Sequence, residues 1–284
     1  MSDLDLRLES IHVYPVKSFA GTSPARAVLA ETGFDLDREW MVVDPAGSFV
    51  TQRELPRMAL VQTALKGDEL ILRAPGMLAL HVAVDRIEGR TEVEVWGDRV
   101  AAYDMGALCA QWLTDFLGQP FRLARFDPEA PRRADRRWTG AIDAATAFQD
   151  GFPLLVASTA SLAELNRRLV LAGEAPVTIA RLRPNLVVSG LDAHGEDHLD
   201  EIVFAADGGP VRLKLVKPCA RCSIPDVDPQ TGVRGHAVGD ILAQYRADPR
   251  LDGALTFAMN AVIVEGAGRT LAVGMPGSAT IAFA

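Results

Sequence analysis

Short apolar runs broken by turn-forming residues recur through the first half of this chain, and they restrict it to strands. In "WMVVDPAGSFV" the run Trp40 to Val43 meets a polar turn and resumes at Phe49 and Val50. "ALVQTALKGDELILRAPG" has the same form with Lys66-Gly67-Asp68 at its tip, and "TEVEVWGDRVAAY" repeats it with Gly97-Asp98. Paired runs joined by such residues are hairpin signals, because glycine supplies the positive φ that tight turns need. Several in succession predict a barrel or sandwich-like sheet. One helix interrupts them. In "DMGALCAQWLTDFLGQP" the apolar residues Met105, Leu108, Cys109, Trp112, Leu113, Phe116 and Leu117 share one face at a period near 3.6. Asp104 is the expected cap, Gly118 the stop, and Pro120 bars resumption. Cys109 on that face reads as a packing residue.

The polar, arginine-rich "RFDPEAPRRADRRWTGAIDAA" reads as a connector with solvated arginines. Beyond it, "FPLLVAS" predicts a buried strand, and "STASLAELNRRLVLAG" a helix with Ser161 and Glu164 as a capping box. Strands follow in "RPNLVVSG", in "EIVFAADGGPVRLKLV" with a Gly208-Gly209 tip, and in "TFAMNAVIVEGAGRTLAVG"; "DILAQYR" is a short helix.

Charge and cysteine content narrow the function. A net charge of −8 over 284 residues argues against a nucleic-acid binder. An arginine cluster in such a chain serves a local anion. No run is long and apolar enough for a membrane span, and the start has no basic leader before an apolar stretch. The three cysteines, Cys109, Cys219 and Cys222, make no disulfide framework, so a reducing, cytoplasmic compartment is expected.

Chemistry concentrates in "KPCARCSIPDVDPQTG", Lys217 to Gly232. Three readings are open. Cys219 and Cys222 with His194 and His198 supply four zinc-type ligands. The pair can be a redox dithiol, although Pro225 and Pro229 exclude the long helix that usually activates one. Or a single thiolate, favoured by the charge of Arg221, binds a metal carried in a cofactor.

The segments "HVYPVKSFAG", "GFDLDREWMVVD", "QDGFPLLVASTASLAELNRRL", "LRPNLVVSG" and "KPCARCSIPDVDPQTG" occur in this order. Together they resemble the MOSC-domain molybdoenzymes, the group of the amidoxime-reducing components and their bacterial relatives. The resemblance runs from about Ile11 onward. It implies a mixed α/β, predominantly β fold, with a small N-terminal β-rich domain over residues 5–125 and a MOSC β-barrel with a few helices over 126–284. It implies a molybdenum–pterin cofactor (Mo-molybdopterin) with Cys222 as molybdenum ligand and catalytic centre. Lys17, Ser18, Arg38, Arg183, Asn185 and Arg221 match cofactor-holding positions, while Cys219 has no assigned role. Pyridoxal phosphate binding is implied only as a label of the wider family. The implied reaction is reduction of amidoximes, hydroxylamines or N-hydroxylated base analogues. With three cysteines and no internal iron–sulfur cluster expected, electrons are expected from a separate donor of the ferredoxin, flavin-reductase or cytochrome type. The alternative is a cofactor carrier or sulfur-transfer protein without reductase activity. Two departures from the family pattern are Ala258, where relatives often have glycine, and Met275, where they often have an acidic residue. Both are expected away from the cofactor motifs.

Overall fold

The computed structural model describes residues 3–282. Seven strands close into a barrel: β1 (Leu4–Ile11), β2 (Leu154–Ser158), β3 (Leu186–Ser189), β4 (Leu199–Ala206), β5 (Gly209–Ala220), β6 (Ala254–Glu265) and β7 (Pro276–Ile281). Around the ring the order is β2-β3-β1-β7-β4-β5-β6, and β6 pairs back onto β2. Only β2 and β3 run parallel; the helix Thr159–Leu171 makes the crossover that a parallel pair requires. The fold is thus mainly β with a few helices.

The first strand of the chain completes a barrel built otherwise from its second half. β1 sits between β3 and β7. Leu6 and Leu8 point inward with period two, and a register shift between Leu8 and Ser10 lets Ile11 face inward as well. These side chains meet Leu154, Val156, Phe204 and Leu213 in the barrel core.

A second core lies under the residues between β1 and β2. A four-stranded sheet is ordered Trp40–Val43, Arg122–Phe126, Asp98–Asp104, Gly89–Val95. A three-stranded meander of Gln62–Lys66, Glu69–Arg73 and Leu80–Ala83 lies beside it. The helix Ala107–Leu117 buries Cys109, Trp112, Leu113, Phe116 and Leu117 against Val16, Phe19, Trp40 and Leu72. Burial pushes the Cys109 thiol up to about 11, as expected for a packing residue.

Several local expectations are corrected. The helix at Ala107 is not capped by Asp104; its cap is Gly106 at φ 94, and Asp104 accepts from the Gly106 N–H instead. Gly118 ends it in the left-handed region, as the sequence suggested. The helix Thr159–Leu171 starts one turn earlier than the Ser161–Glu164 box implied. Ser158 caps it by accepting from the Ser161 N–H, and Glu164 pairs with Arg167 and Arg168. The connector arginines are not all solvated: Arg132 donates to Gln149 O and pairs with Asp98. Among the described residues no helix is long and apolar enough to cross a membrane.

Candidate functional site

Cys222, Lys17, Ser18, Arg38, Arg183, Asn185 and Arg221 all line one cleft where the barrel meets the second core. The barrel delivers Cys222. β5 carries Cys219 and Ala220 in its last two positions, and Arg221 and Cys222 emerge beyond its end. A short 3-10 turn, Ile224–Asp226, follows at once. Cys222 is exposed and free; Cys219 is half-buried, and Arg221 Nη1 donates to its Sγ at 3.1 Å. Arg221 also donates to Leu182 O, while its buried Nε has no partner among the described residues.

The strand opposite explains how this end is held. In β6 the register slips between the pairs Pro218–Met259 and Ala220–Thr256, which sets Phe257 and Ala258 against Cys219. Ala258 is fully buried at φ 68, the region glycine favours. The departure at Ala258 therefore lies beside the cysteine motif, contrary to the expectation that it lay away from it. Met275 is partly buried against the barrel core.

The remaining site residues come from loops. Arg38 and Arg183 both lie 4.3 Å from the centroid of the buried Tyr14 ring. Arg38 Nη1 pairs with the buried Asp37 at 2.5 Å and Nη2 donates to Arg183 O, while Arg183 Nη1 donates to Phe19 O. Ser18, Arg38 and Arg183 all have left-handed backbone, at φ 67, 52 and 53. Such conformations each cost about 1 kcal/mol or more and collect at functional sites. Burial pushes the Arg183 guanidinium down to about 10, and that of Tyr14 pushes its phenol up to about 12. At neutral pH the arginine is charged and the phenol is not. One carboxylate, Asp37, contacts this pair of guanidiniums, so an added anion meets uncompensated charge.

Lys17 and Asn185 are more occupied. The buried Lys17 donates to Phe148 O at 2.8 Å and pairs with Asp150; burial lowers its pKa and Asp150 partly restores it. Asn185 Oδ1 accepts from Leu155 N–H and its Nδ2 donates to His12 O, tying β2 to the end of β1. Arg53, Thr51, Gln149, Asp150 and Asn260 also line the cleft. Of these, Gln149 and Asp150 stand in the quoted "QDGFPLL", but nothing local marked their side chains.

Among the described residues the cleft is lined by five cationic side chains (Lys17, Arg38, Arg53, Arg183, Arg221) and one carboxylate (Asp150), together with the Cys222 thiol. This excess of positive charge occurs in a chain of net charge −8. Arginine forks match phosphate bidentately. The donor set and the orphaned Arg221 Nε fit a group with a phosphate tail and a thiolate-seeking centre.

The zinc ligand set does not assemble. Among the described residues no group of three or more His, Cys, Asp or Glu side chains is arranged to hold a metal ion. His194 packs instead between Tyr245 and Phe257, with ring centroids 5.5 and 5.7 Å away. Burial, helped by Arg246, holds its pKa at about 4. Between that value and 6.5 the unfolded chain takes up a proton that the folded chain refuses. Stability should therefore be unaffected by this group above pH 6.5 and fall as pH drops toward 4, by on the order of 2 kcal/mol. Urea midpoints at pH 7 and pH 4.5 check this: His194→Phe should lose less between the two than the wild type does.

Comparison with known proteins adds two family matches. The model described as MOSC N-terminal beta barrel domain matches residues 5–120, and that described as MOSC domain matches residues 143–274. Mitochondrial amidoxime-reducing component 1 of Homo sapiens is 37% identical over 234 residues, which are 78% of this chain and 66% of that protein. Mitochondrial amidoxime reducing component 2 of Bos taurus is 35% identical over 235 residues, 80% of this chain and 68% of that protein. Molybdenum cofactor sulfurase of Homo sapiens is 29% identical over 255 residues, 84% of this chain but 28% of that protein. The chain thus spans about two thirds of the first two relatives, just under that share for the first.

Proposed function

The chain belongs to the MOSC family, and on that premise we propose that it is an oxidoreductase that binds a molybdenum–pterin cofactor in this cleft and reduces N-hydroxylated compounds. The observation that carries the reading is the exposed Cys222 thiol among five cations in an acidic chain. The names of the amidoxime-reducing relatives support the reaction class. At the level of sequence we divide the chain into residues 5–125 and 126–284, with Leu4–Ile11 contributed to the barrel.

In this reading Cys222 ligates the molybdenum as a thiolate. Arg38, Arg183 and Arg221 hold the phosphate end, with Lys17, Ser18 and Asn185 completing the cradle. When bound, the cofactor would supply two-electron chemistry, by which an N–OH group, two electrons from the donor and two protons from solvent give N–H and water. The protein's part is to place the reactants. Tyr14 holds the Arg38 and Arg183 guanidiniums on its ring, so their orientation is set before an anion arrives. Arg221 is steered by Leu182 O and Cys219 Sγ, which fixes its guanidinium in the wall of the cleft. Electrons come from a separate protein of the ferredoxin, flavin-reductase or cytochrome type.

A cofactor-carrier or sulfur-transfer role is the second reading, favoured by the exposure of Cys222 and by the sulfurase relative. Turnover separates the two. Cofactor-loaded protein given reduced viologen should reduce an amidoxime or hydroxylamine. Loaded protein that stays inactive with every such donor and substrate favours the carrier role.

A further inference from the structure

Three guanidiniums stand together beside the cleft with no carboxylate to neutralise them. Arg53 lines the cleft, Arg57 is exposed on the 3-10 turn Pro56–Leu60, and Arg234 is exposed on the loop that follows Cys222. That loop folds back through a bridge between Val227 and Arg234, and Arg234 Nη2 donates to Gln52 O at 3.2 Å and to Arg53 O. Gly232 lies against Leu60 and the backbone of Arg57. Among the described residues none of the three arginines forms an ion pair. The Arg57 guanidinium lies 4.5 Å from the centroid of the Phe116 ring, and that of Arg53 lies 4.2 Å from the centroid of the Trp96 ring. Glu54 stands between Arg53 and Arg57 in the sequence, yet its Oε2 turns to Thr51 and accepts from that residue's N–H and Oγ1.

An apolar side chain is exposed on each side of these arginines: Trp96 against Arg53, 46% exposed, and Val233 beside Arg234, 63% exposed. Trp96 stands with Gly97 at the tip of the hairpin Gly89–Val95/Asp98–Asp104, at φ 55 and 88 respectively. Turns with two positive φ values take Asn, Asp or Gly, so a tryptophan is strained there. Phe49 packs on it with ring centroids 4.9 Å apart, and the rest of the indole stays on the surface. Neither core packing nor turn geometry accounts for this tryptophan. Tryptophan and arginine are the residues that most often carry the binding energy of a protein interface. Unneutralised arginines in a chain of net charge −8 make a local positive field, which draws an acidic surface and no other.

We propose that Trp96, Arg53, Arg57, Val233 and Arg234 form the docking surface for an acidic electron-carrier protein. This rests on the reductase reading above, which needs a separate donor, and it gives that donor a face on this chain and a sign of charge. Arg53 belongs both to the lining of the cleft and to the patch, so a carrier seated here covers the rim of the cleft that holds Cys222. Carboxylates of the carrier pair with the three guanidiniums, and Trp96 and Val233 supply the apolar contact that excludes water between them. The charges set the rate of encounter and the register, and the apolar pair sets how long the complex lasts. A concave rim beside a cleft fits a small protein better than a flat anionic membrane, which the net charge of the chain also repels.

The test uses the cofactor-loaded full chain with benzamidoxime as substrate and compares two donors. One is reduced viologen, a small molecule; the other is an acidic plant-type ferredoxin kept reduced by its own reductase. Val233→Glu and Arg57→Glu each put a repelling charge in the patch, and neither residue lines the cleft. The Val233 side chain is exposed, so the unfolding midpoint of Val233→Glu should match the wild type. Each variant should raise the KM for ferredoxin about tenfold, while the rate with viologen falls less than about twofold. Arg57→Lys keeps the charge and should stay within about threefold of the wild type. Raising salt from about 0.05 M to about 0.3 M should raise the wild-type KM for ferredoxin at least about threefold, and that of the Glu variants less. Equal losses with both donors, or an unchanged KM for ferredoxin in both Glu variants, would overturn the docking surface. So would a wild type that turns over with viologen yet neither binds ferredoxin nor takes electrons from it, or one that binds phosphatidylserine vesicles in its place. If the wild type is inactive with viologen, the reductase reading falls, and calorimetry of ferredoxin binding to the wild type and to Val233→Glu then decides the surface alone.

Discussion

Replacing Cys222 by serine is expected to lower the reduction of N-hydroxylated compounds more than about 100-fold, whereas Cys219→Ser should retain activity within about tenfold. The two residues are three positions apart and differ in what they touch. Cys222 is exposed beyond the end of β5, free in the cleft. Cys219 is half-buried within the strand, and its sulfur accepts from Arg221. A hydroxyl is a poor replacement for a soft thiolate ligand, so under the proposed assignment the first change would remove the bond that anchors the metal. The second alters a group that orients Arg221, and serine still offers that guanidinium an acceptor. Changes to such outer partners cost about 10- to 100-fold in metal affinity, and loss of the ligand itself costs more. An inactive Cys219 variant beside an active Cys222 variant would reverse the assignment.

Arg183→Ala should weaken cofactor affinity by about ten- to a hundredfold while costing the fold only about 1 kcal/mol. The structural loss is one hydrogen bond, from Nη1 to Phe19 O, and the packing of the guanidinium on Tyr14. Alanine at φ 53 is no more strained than arginine, so backbone conformation does not confuse the comparison. Under the proposed assignment the functional loss would be a charge-assisted bond to phosphate, worth roughly 1.5–3 kcal/mol. Arg183→Lys should recover part of the occupancy, because lysine restores the charge without the fork. Full molybdenum and pterin content in Arg183→Ala would remove this residue from the site.

What the sequence made legible follows from the range of each interaction. Hairpins are local, so Lys66-Gly67-Asp68 and Gly208-Gly209 were found from their turn residues, within a residue of where the strands end. The Gly97-Asp98 tip lies one residue earlier, at Trp96-Gly97, because tryptophan is not a turn residue and hides the signal. The place of β1 in the barrel could not be read, since its partners β3 and β7 lie more than 170 residues away in the chain. Ser158 was missed as a cap because Ser161, with a glutamate three residues on, matched the capping pattern better. At the site, Cys222 and the arginines were marked by their motifs, but Tyr14 reads as an ordinary apolar residue. Its role comes from the crossing of Arg38 and Arg183 on its ring, a contact between residues about 145 positions apart.

The most direct measurement is elemental and pterin analysis of the homogeneous protein, produced in a host that makes the molybdenum cofactor. The account predicts one molybdenum and one pterin per chain, with zinc well below stoichiometry, and loss of the molybdenum in Cys222→Ser. Stoichiometric zinc without molybdenum or pterin would contradict it.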